Sequence, residues 1–338
     1  MNGYNTKIIK SDSDGILYCS MLLKEGEVCG IPTETVYGLA ANALNPQAIN
    51  KIFEAKGRPS DNPLIVHISD FEMLYELVSE ILPVAKKLAD AFWPGPLTMV
   101  FPKKDIIPVQ TSGGLDTVGV RMPAHKSALE LIRKCGFPLA APSANTSGMP
   151  SPTSACHVYN DLCGKIPAVL DGGECNIGVE STVISFENGG VRILRPGFVT
   201  AEELSDFCAV YVDKGIFEKV EASERVISPG MKYKHYSPKA KVFIVEGDTD
   251  KFCDFLRDKS SEKTAAVTFG DECGEIKIRK YRLGETAQIQ AHRLFDILRE
   301  LDRENIETAY FRCPDKTGVG LAVYNRLLRA AGFEVIIL

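Results

Sequence analysis

The segment Lys56-Gly57-Arg58, closed by Pro59, sets two cations on either side of a glycine. One reading is a solvated pair at a helix end. The other is that Gly57 turns the backbone so that both cations face one polyanion. Arg58 would then offer a planar fork to phosphate oxygens and Lys56 a compact charge. Further on, Pro142-Ser143-Ala144-Asn145-Thr146-Ser147-Gly148 follows a short apolar run. Small hydroxyl and amide residues there make either a plain turn or a phosphate cradle of hydroxyls and exposed N–H groups. Arg121 and Arg195 each close a β-rich run, and Ser181-Thr182 opens another. Thr33, Glu34 and Thr35 follow Pro32 at a strand-to-loop exit, where open α/β sheets bind ligands. His67 ends the apolar run 64–66, a position more often held by a hydrogen-bonded structural histidine than by a catalyst. Singly these signals are weak. Together Lys56, Arg58, Arg121 and Arg195, interleaved with Ser143, Asn145, Ser181 and Thr182, describe a site that neutralises a polyanion. The chain contains neither G-x-x-x-x-G-K-[ST] nor G-x-G-x-x-G, so a nucleotide site here is of another kind.

Such residues need rigid elements beneath them. Apolar residues at helical spacing predict a helix over 14–24, and Pro46 opens a second that stops at Gly57. Residues 83–92 read as a third helix. Short β-rich runs at 28–31, 64–68, 97–101, 118–121, 139–141, 168–170, 182–186 and 191–194 predict one sizeable mixed sheet. The rigid segment Trp93-Pro94-Gly95-Pro96 fixes a chain bend and packs the core. After Pro196-Gly197 the pattern changes to an acidic stretch over 201–227. The Pro- and Gly-bounded basic segment from Ser228 to Pro238 then reads as a linker. Beyond it, strands at 242–245, 264–268, 309–312 and 335–338 alternate with helices at 250–258, 287–302 and 320–331. That alternation predicts a small Rossmann-like parallel-sheet domain. The expected division is a catalytic domain over 1–200, a linker or lid over 201–239, and a C-terminal domain over 240–338.

Composition narrows the function classes. A chain of 338 residues with 45% hydrophobic and 25% charged residues builds a packed core, and its net charge of −5 argues against a surface coated for nucleic acid. No apolar run approaches the length of a membrane span, and the polar N-terminus lacks a secretory pattern. These features imply a soluble, cytoplasmic protein. The ten cysteines lie far apart without a C-x-x-C pair, so most are expected to be reduced, buried apolar side chains.

The motifs PTETVYGL (32–39), KGRPSDNPLIVHI (56–68), WPGPLT (93–98), VGVRMP (118–123), APSANTSG (141–148), GVESTV (178–183) and ILRPG (193–197) resemble, in order, the YrdC-type threonylcarbamoyl-AMP synthases. SPGMKYKHYSP (228–238) and GLAVYNRLLRAAG (320–332) are similar to the long form, which carries an additional C-terminal domain. The resemblance implies a YrdC-like twisted mixed sheet with a concave basic site. It also implies formation of threonylcarbamoyl-AMP and pyrophosphate from ATP, L-threonine and bicarbonate or CO₂. The product would pass to a separate tRNA threonylcarbamoyl transferase, which modifies the adenosine beside the anticodon; a weak tRNA or RNA contact fits the same setting. By motif match, Lys56, Arg58, Ser143 and Asn145 form the catalytic centre. ATP would also meet Asn62, Thr117, Ser151, Arg195 and Tyr236, with Mg²⁺ travelling on the triphosphate and no metal ligand from the protein. Thr35, His67, Arg121, Ser181 and Thr182 would orient L-threonine, Arg121 taking its carboxylate. His235 and Tyr236 would fold over the site as a lid. Two rivals are an RNA-binding module, which the charge disfavours, and a carbamoyltransferase relative, whose extra segments are missing. The C-terminal domain, lacking a phosphate fingerprint, is expected to serve structure, docking or regulation.

Overall fold

Helix starts are set by side chains that accept from otherwise unpaired N–H groups. The computed structural model describes residues 3–218, 236–259 and 261–338. Its first half runs β1 (Lys7–Lys10), α1 (Ser13–Lys24), β2 (Cys29–Ile31), β3 (Gly38–Asn42), α2 (Pro46–Lys56), β4 (Ile65–His67), α3 (Phe71–Leu77), α4 (Pro83–Phe92) and β5 (Leu97–Pro102). There follow α5 (Val109–Ser112), β6 (Thr117–Arg121), α6 (Lys126–Cys135), β7 (Leu139–Ala140), α7 (Ala155–Leu162), β8 (Ala168–Asp171), β9 (Thr182–Glu187), β10 (Gly190–Arg195), α8 (Ala201–Ser205) and β11 (Val210–Val212). Asp12 caps α1 and Asn45 caps α2, whose first residue is Pro46. Gly57 ends α2 in the left-handed region, with φ 61°, a turn that costs glycine little.

Among the described residues these strands form one eleven-stranded mixed sheet in the order β1-β8-β2-β3-β7-β4-β6-β5-β9-β10-β11. Adjacent pairs change sense repeatedly: β4 is parallel to β6 but antiparallel to β7, and β5 is antiparallel to β6 but parallel to β9. The sheet extends past residue 200. A Thr200–Glu203 capping box starts α8, and β11 then adds to β10 in parallel. The short β11 has exposed side chains within an acid-rich stretch, which hides its strand character in the sequence.

The second sheet is built from β12 (Lys241–Glu246), α9 (Thr249–Arg257), β13 (Thr264–Thr268), β14 (Arg279–Arg282), α10 (Ala287–Arg303), β15 (Thr308–Arg312), α11 (Gly318–Ala330) and β16 (Val335–Ile337). All its strands are parallel, in the order β14-β13-β15-β12-β16. Helix α11 is buried at every residue from Val319 to Ala330, so it lies between two layers of protein. The apolar core of this unit takes in Val36, Ile177, Val179 and Tyr236, all from outside its own sheet. No helix among the described residues is long and apolar enough to cross a membrane.

Two of the ten cysteines depart from the expectation that most are reduced. Cys253 on α9 and Cys273 form a disulfide, with Cα atoms 5.2 Å apart. The turn after β13 folds over α9 and brings together two thiols 20 residues apart, a spacing that carries no motif. The remaining eight are free; Cys19, Cys29, Cys135 and Cys175 are buried, but Cys156 and Cys163 are exposed and Cys208 and Cys313 half-buried, so the expected burial of most of them is not met.

Candidate active site

A cavity opens where β2, β4, β6, β7 and β10 feed their exit loops. Its walls include Thr35, Arg58, His67, Arg121, Ser143 and Asn145, and then Ser181, Arg195 and Tyr236. Residues from seven separated stretches of the sequence thus meet at one place. Thr117 instead lines a small adjoining cleft that shares Pro63, Leu64 and Ile65 with the main cavity. Lys56, Asn62, Ser151 and Thr182 are buried behind the wall.

Lys56 departs from the expectation that both cations of the pair face one anion. It is 2% exposed, and its Nζ donates to the backbone carbonyls of Ser143 and Asn145 at 2.5 and 2.6 Å. The left-handed turn at Gly57 sends the two side chains apart. Arg58 reaches the cavity, where its Nη2 donates to the Pro63 carbonyl, while Lys56 straps α2 to the loop after β7. Burial, with the charge of Arg58 adding, holds the Lys56 ammonium well below its ordinary pKa. The same loop is closed on itself by Asn145 Nδ2, which donates to the carbonyls of Thr146 and Met149. Asn145 Oδ1 and Asn62 Oδ1 are buried without hydrogen-bond partners.

At the other end of the cavity Arg121, at the end of β6, is 4% exposed. Its Nε donates to the Gly95 carbonyl, its Nη1 to Thr35 Oγ1 at 2.9 Å, and its Nη2 pairs with Glu34 Oε1 at 2.6 Å. The Trp93-Pro94-Gly95 bend is held by Trp93 Nε1 donating to the Leu97 carbonyl and by Gly95 N–H donating to Met122. The only tryptophan therefore fixes the carbonyl that aims Arg121. Nε and Nη1 each donate one hydrogen bond, and Nη2 meets Glu34 as an ion pair without hydrogen-bond geometry.

His67 sits beside Arg121 through the parallel β4–β6 register and is 4% exposed, with Nδ1 buried and unpartnered. Burial, and secondarily the charge of Arg121, lowers its pKa to about 3, so the ring is neutral at physiological pH. Because the unfolded chain takes up this proton first, near pH 6.5, stability is lost as pH falls from there towards 3. A His67→Gln variant should flatten the decline of unfolding free energy between pH 6 and 4 by up to about 1.4 kcal/mol per pH unit, one proton's worth. Denaturant titrations at several pH values would measure it; an unchanged slope contradicts the assignment.

Arg195, at the end of β10, is oriented by Ser181: its Nε and Nη2 donate to the Ser181 carbonyl and its Nη2 also to Oγ. Ser181 Oγ and Thr98 Oγ1 share a hydrogen bond of 2.8 Å. Thr182 is turned inward; it is fully buried and donates to the Val199 carbonyl, so the structure gives it a place in the frame rather than at the cavity. Ser151, also fully buried, donates to Glu180 Oε1 at 2.5 Å. Tyr236 is 5% exposed, has φ 61°, and its ring packs tilted against Phe295 of α10, with centroids 5.2 Å apart. Ser237 N–H then donates to the Gly148 carbonyl, joining this segment to the loop after β7. His235 lies outside the described residues.

Sequence reasoning gave no role to two acids. Glu34 carries the ion pair with Arg121, and Glu180 lines the cavity between Ser181 and Tyr236. Both sit inside the motifs already singled out, but a carboxylate beside a polyanion site is read past because it repels. Each is matched by a buried arginine. Among the described residues no three His, Cys, Asp or Glu side chains gather as metal ligands.

Known proteins resemble this chain in sequence and fold. Residues 21–197 match the Sua5/YciO/YrdC family model, described as telomere recombination, and residues 199–332 match the model for the threonylcarbamoyl-AMP synthase C-terminal domain. A threonylcarbamoyl-AMP synthase of Pyrococcus abyssi is 47% identical over 322 residues, covering 93% of both chains. That of Bacillus subtilis is 44% identical over 338 residues, covering 98% of this chain and 97% of the relative. The structure of P. abyssi Sua5 complexed with L-threonine has a TM-score of 0.91 at 42% identity, over 98% of this chain and 99% of that one.

Proposed function

The chain belongs to the threonylcarbamoyl-AMP synthase family, and we infer from this that it forms L-threonylcarbamoyl-AMP and pyrophosphate from ATP, L-threonine and bicarbonate. The amine of threonine first becomes a carbamate, with loss of water and of the ammonium proton. A carbamate oxygen then attacks the α-phosphorus of ATP, the bond to the bridging oxygen of the β-phosphate breaks, and pyrophosphate leaves. The enzyme is on this reading a nucleotidyltransferase. Such transfers ask for charge neutralisation and in-line positioning more than for a strong base.

The observation that carries the reading is the division of the cavity wall. Arg58, Ser143 and Arg195 form a cationic, donor-bearing side suited to the triphosphate, with Asn145 bracing its loop on the same wall, Asn62 and Ser151 behind it and Thr117 at the adjoining cleft. Thr35, His67, Arg121 and Ser181 form a side suited to a small hydroxy amino acid. Arg121 offers its remaining N–H groups to the carboxylate, and neutral His67 offers a lone pair or a donor without adding charge. Lys56 acts from behind by setting the Ser143–Asn145 loop. Mg²⁺ enters as part of the substrate, on the triphosphate. Tyr236 closes the cavity near Arg195, excluding water from a hydrolysable mixed anhydride. The product passes to a separate tRNA threonylcarbamoyl transferase in the cytoplasm, with at most a weak RNA contact by this chain.

Purified protein should release pyrophosphate from ATP when L-threonine and bicarbonate are both supplied. Release at an equal rate without threonine, or with serine in its place, contradicts the substrate assignment.

A further inference from the structure

Glu180 poses a physical problem. Glu180 is 7% exposed and lines the cavity with Arg195, on the side assigned to the triphosphate. An ionised carboxylate there repels a polyanion and is itself costly to bury without a partner. Burial alone would push its proton affinity up. The charges of Arg326 and Arg195 and the Ser151 hydroxyl reverse this, so the group stays ionised.

The partner comes from the other sheet. Arg326, on α11, is fully buried; its Nε donates to Glu180 Oε2 at 2.9 Å and its Nη1 to the Pro196 carbonyl at 2.6 Å. Its guanidinium also lies 6.0 Å from the ring centroid of Tyr236. Neighbouring α11 side chains repeat the pattern, with Asn325 donating to the Ile216 carbonyl and Arg329 to that of Gly215. The Glu180 loop leaves no room for adjustment. A side chain at Gly178 would meet the backbone of His292 on α10 at 2.5 Å, and Ile177 and Val179 are packed within the C-terminal core. The loop bearing Glu180 and Ser181 is therefore seated on the C-terminal unit.

We propose that Arg326 is a positioning residue for the reaction. It holds and neutralises Glu180, so that Arg195 meets the triphosphate without a bare negative charge beside it. The C-terminal unit thereby completes the nucleotide side of the catalytic site. This rests on the synthase reading, and wild-type turnover measured in parallel separates failure of the one from failure of the other.

Four proteins decide it: wild type, Arg326→Met, Arg326→Lys, and Arg326→Met combined with Glu180→Gln. Steady-state pyrophosphate release is measured with ATP and threonine varied in turn, and folding is checked by circular dichroism and thermal midpoint. Arg326→Met should raise the KM for ATP by roughly ten- to a hundredfold, one to two multiples of 1.4 kcal/mol, and leave the KM for threonine within about threefold. Arg326→Lys keeps the charge and should stay within about fivefold for ATP. The double variant removes both charges and keeps an acceptor for Ser151, so it should recover most of the ATP KM lost in Arg326→Met. A structural role alone predicts no rescue, because the double variant has fewer contacts still. An unchanged ATP KM in folded Arg326→Met, or a double variant as impaired as the single one, overturns the proposal. Should Arg326→Met not fold, the other two carry the test: an ATP KM more than tenfold above wild type in both overturns it, and values near wild type support it.

Discussion

Replacing Arg121 by leucine should abolish measurable pyrophosphate release and lower the thermal midpoint, and a second substitution should separate the two effects. Arg121 is 4% exposed and pairs with the nearly buried Glu34 at 2.6 Å. Removing one partner of such a pair leaves the other charge uncompensated, which costs about 3–5 kcal/mol in comparable cases. Glu34 has no other hydrogen-bond partner for either carboxylate oxygen. The same substitution removes the donor to Thr35 Oγ1 and the guanidinium offered to the threonine carboxylate. Loss of a bidentate, charge-assisted contact in a desolvated site, together with misplacement of Thr35, should cost about three orders of magnitude in kcat/KM for threonine. Adding Glu34→Gln to Arg121→Leu removes the stranded charge and should restore most of the midpoint but none of the activity. A double variant that regains both shows that Arg121 only neutralises Glu34, and ends its assignment to the carboxylate.

The sequence displayed the chemistry of the cavity better than its geometry. Arg121, Arg195 and His67 were legible because they end runs of β-branched and apolar residues, and strand ends gather where a sheet presents its loops. The core positions of β5, β6, β9 and β10 follow from the same runs. What could not be read was direction. Lys56 and Arg58 are two residues apart across a glycine, and only the left-handed turn at Gly57 decides that one faces the cavity and the other faces carbonyls 87 and 89 residues away. Thr182 stands beside Ser181 in sequence, yet β alternation sends it to the opposite face, where it meets Val199. The strands β1 and β3 are short and carry lysines or small residues, so their place comes from neighbours such as β8 and β7 rather than from propensity. Glu180 and Arg326 are 146 residues apart, and no local pattern links them.

Lys56→Met provides the second large effect, and it turns on which of two opposing terms prevails. Burying an ammonium is costly, and Lys56 is both 2% exposed and beside Arg58, so removing its charge relieves a penalty. Against that, the carbonyls of Ser143 and Asn145 lose their donor in a place water does not reach, at about 1–3 kcal/mol each. Methionine fills nearly the same volume, so no cavity term enters. The terms partly cancel, and the net loss of stability should be modest, about 1–3 kcal/mol. Activity has no such cancellation. The loop from Ser143 to Asn145 is tied to α2 chiefly through Lys56 Nζ and the Ser147 N–H to Lys56 carbonyl bond, and a displacement near 1 Å at a phosphate-orienting loop costs on the order of a hundredfold in rate. Lys56→Met should therefore stay folded and lose two to three orders of magnitude in turnover. Arg58→Ala, whose side chain reaches the cavity, should lose as much activity while the thermal midpoint stays close to wild type. If Arg58→Ala instead lost stability and kept activity, the two cations would have exchanged roles, and the phosphate side of the cavity would have to be redrawn around Lys56.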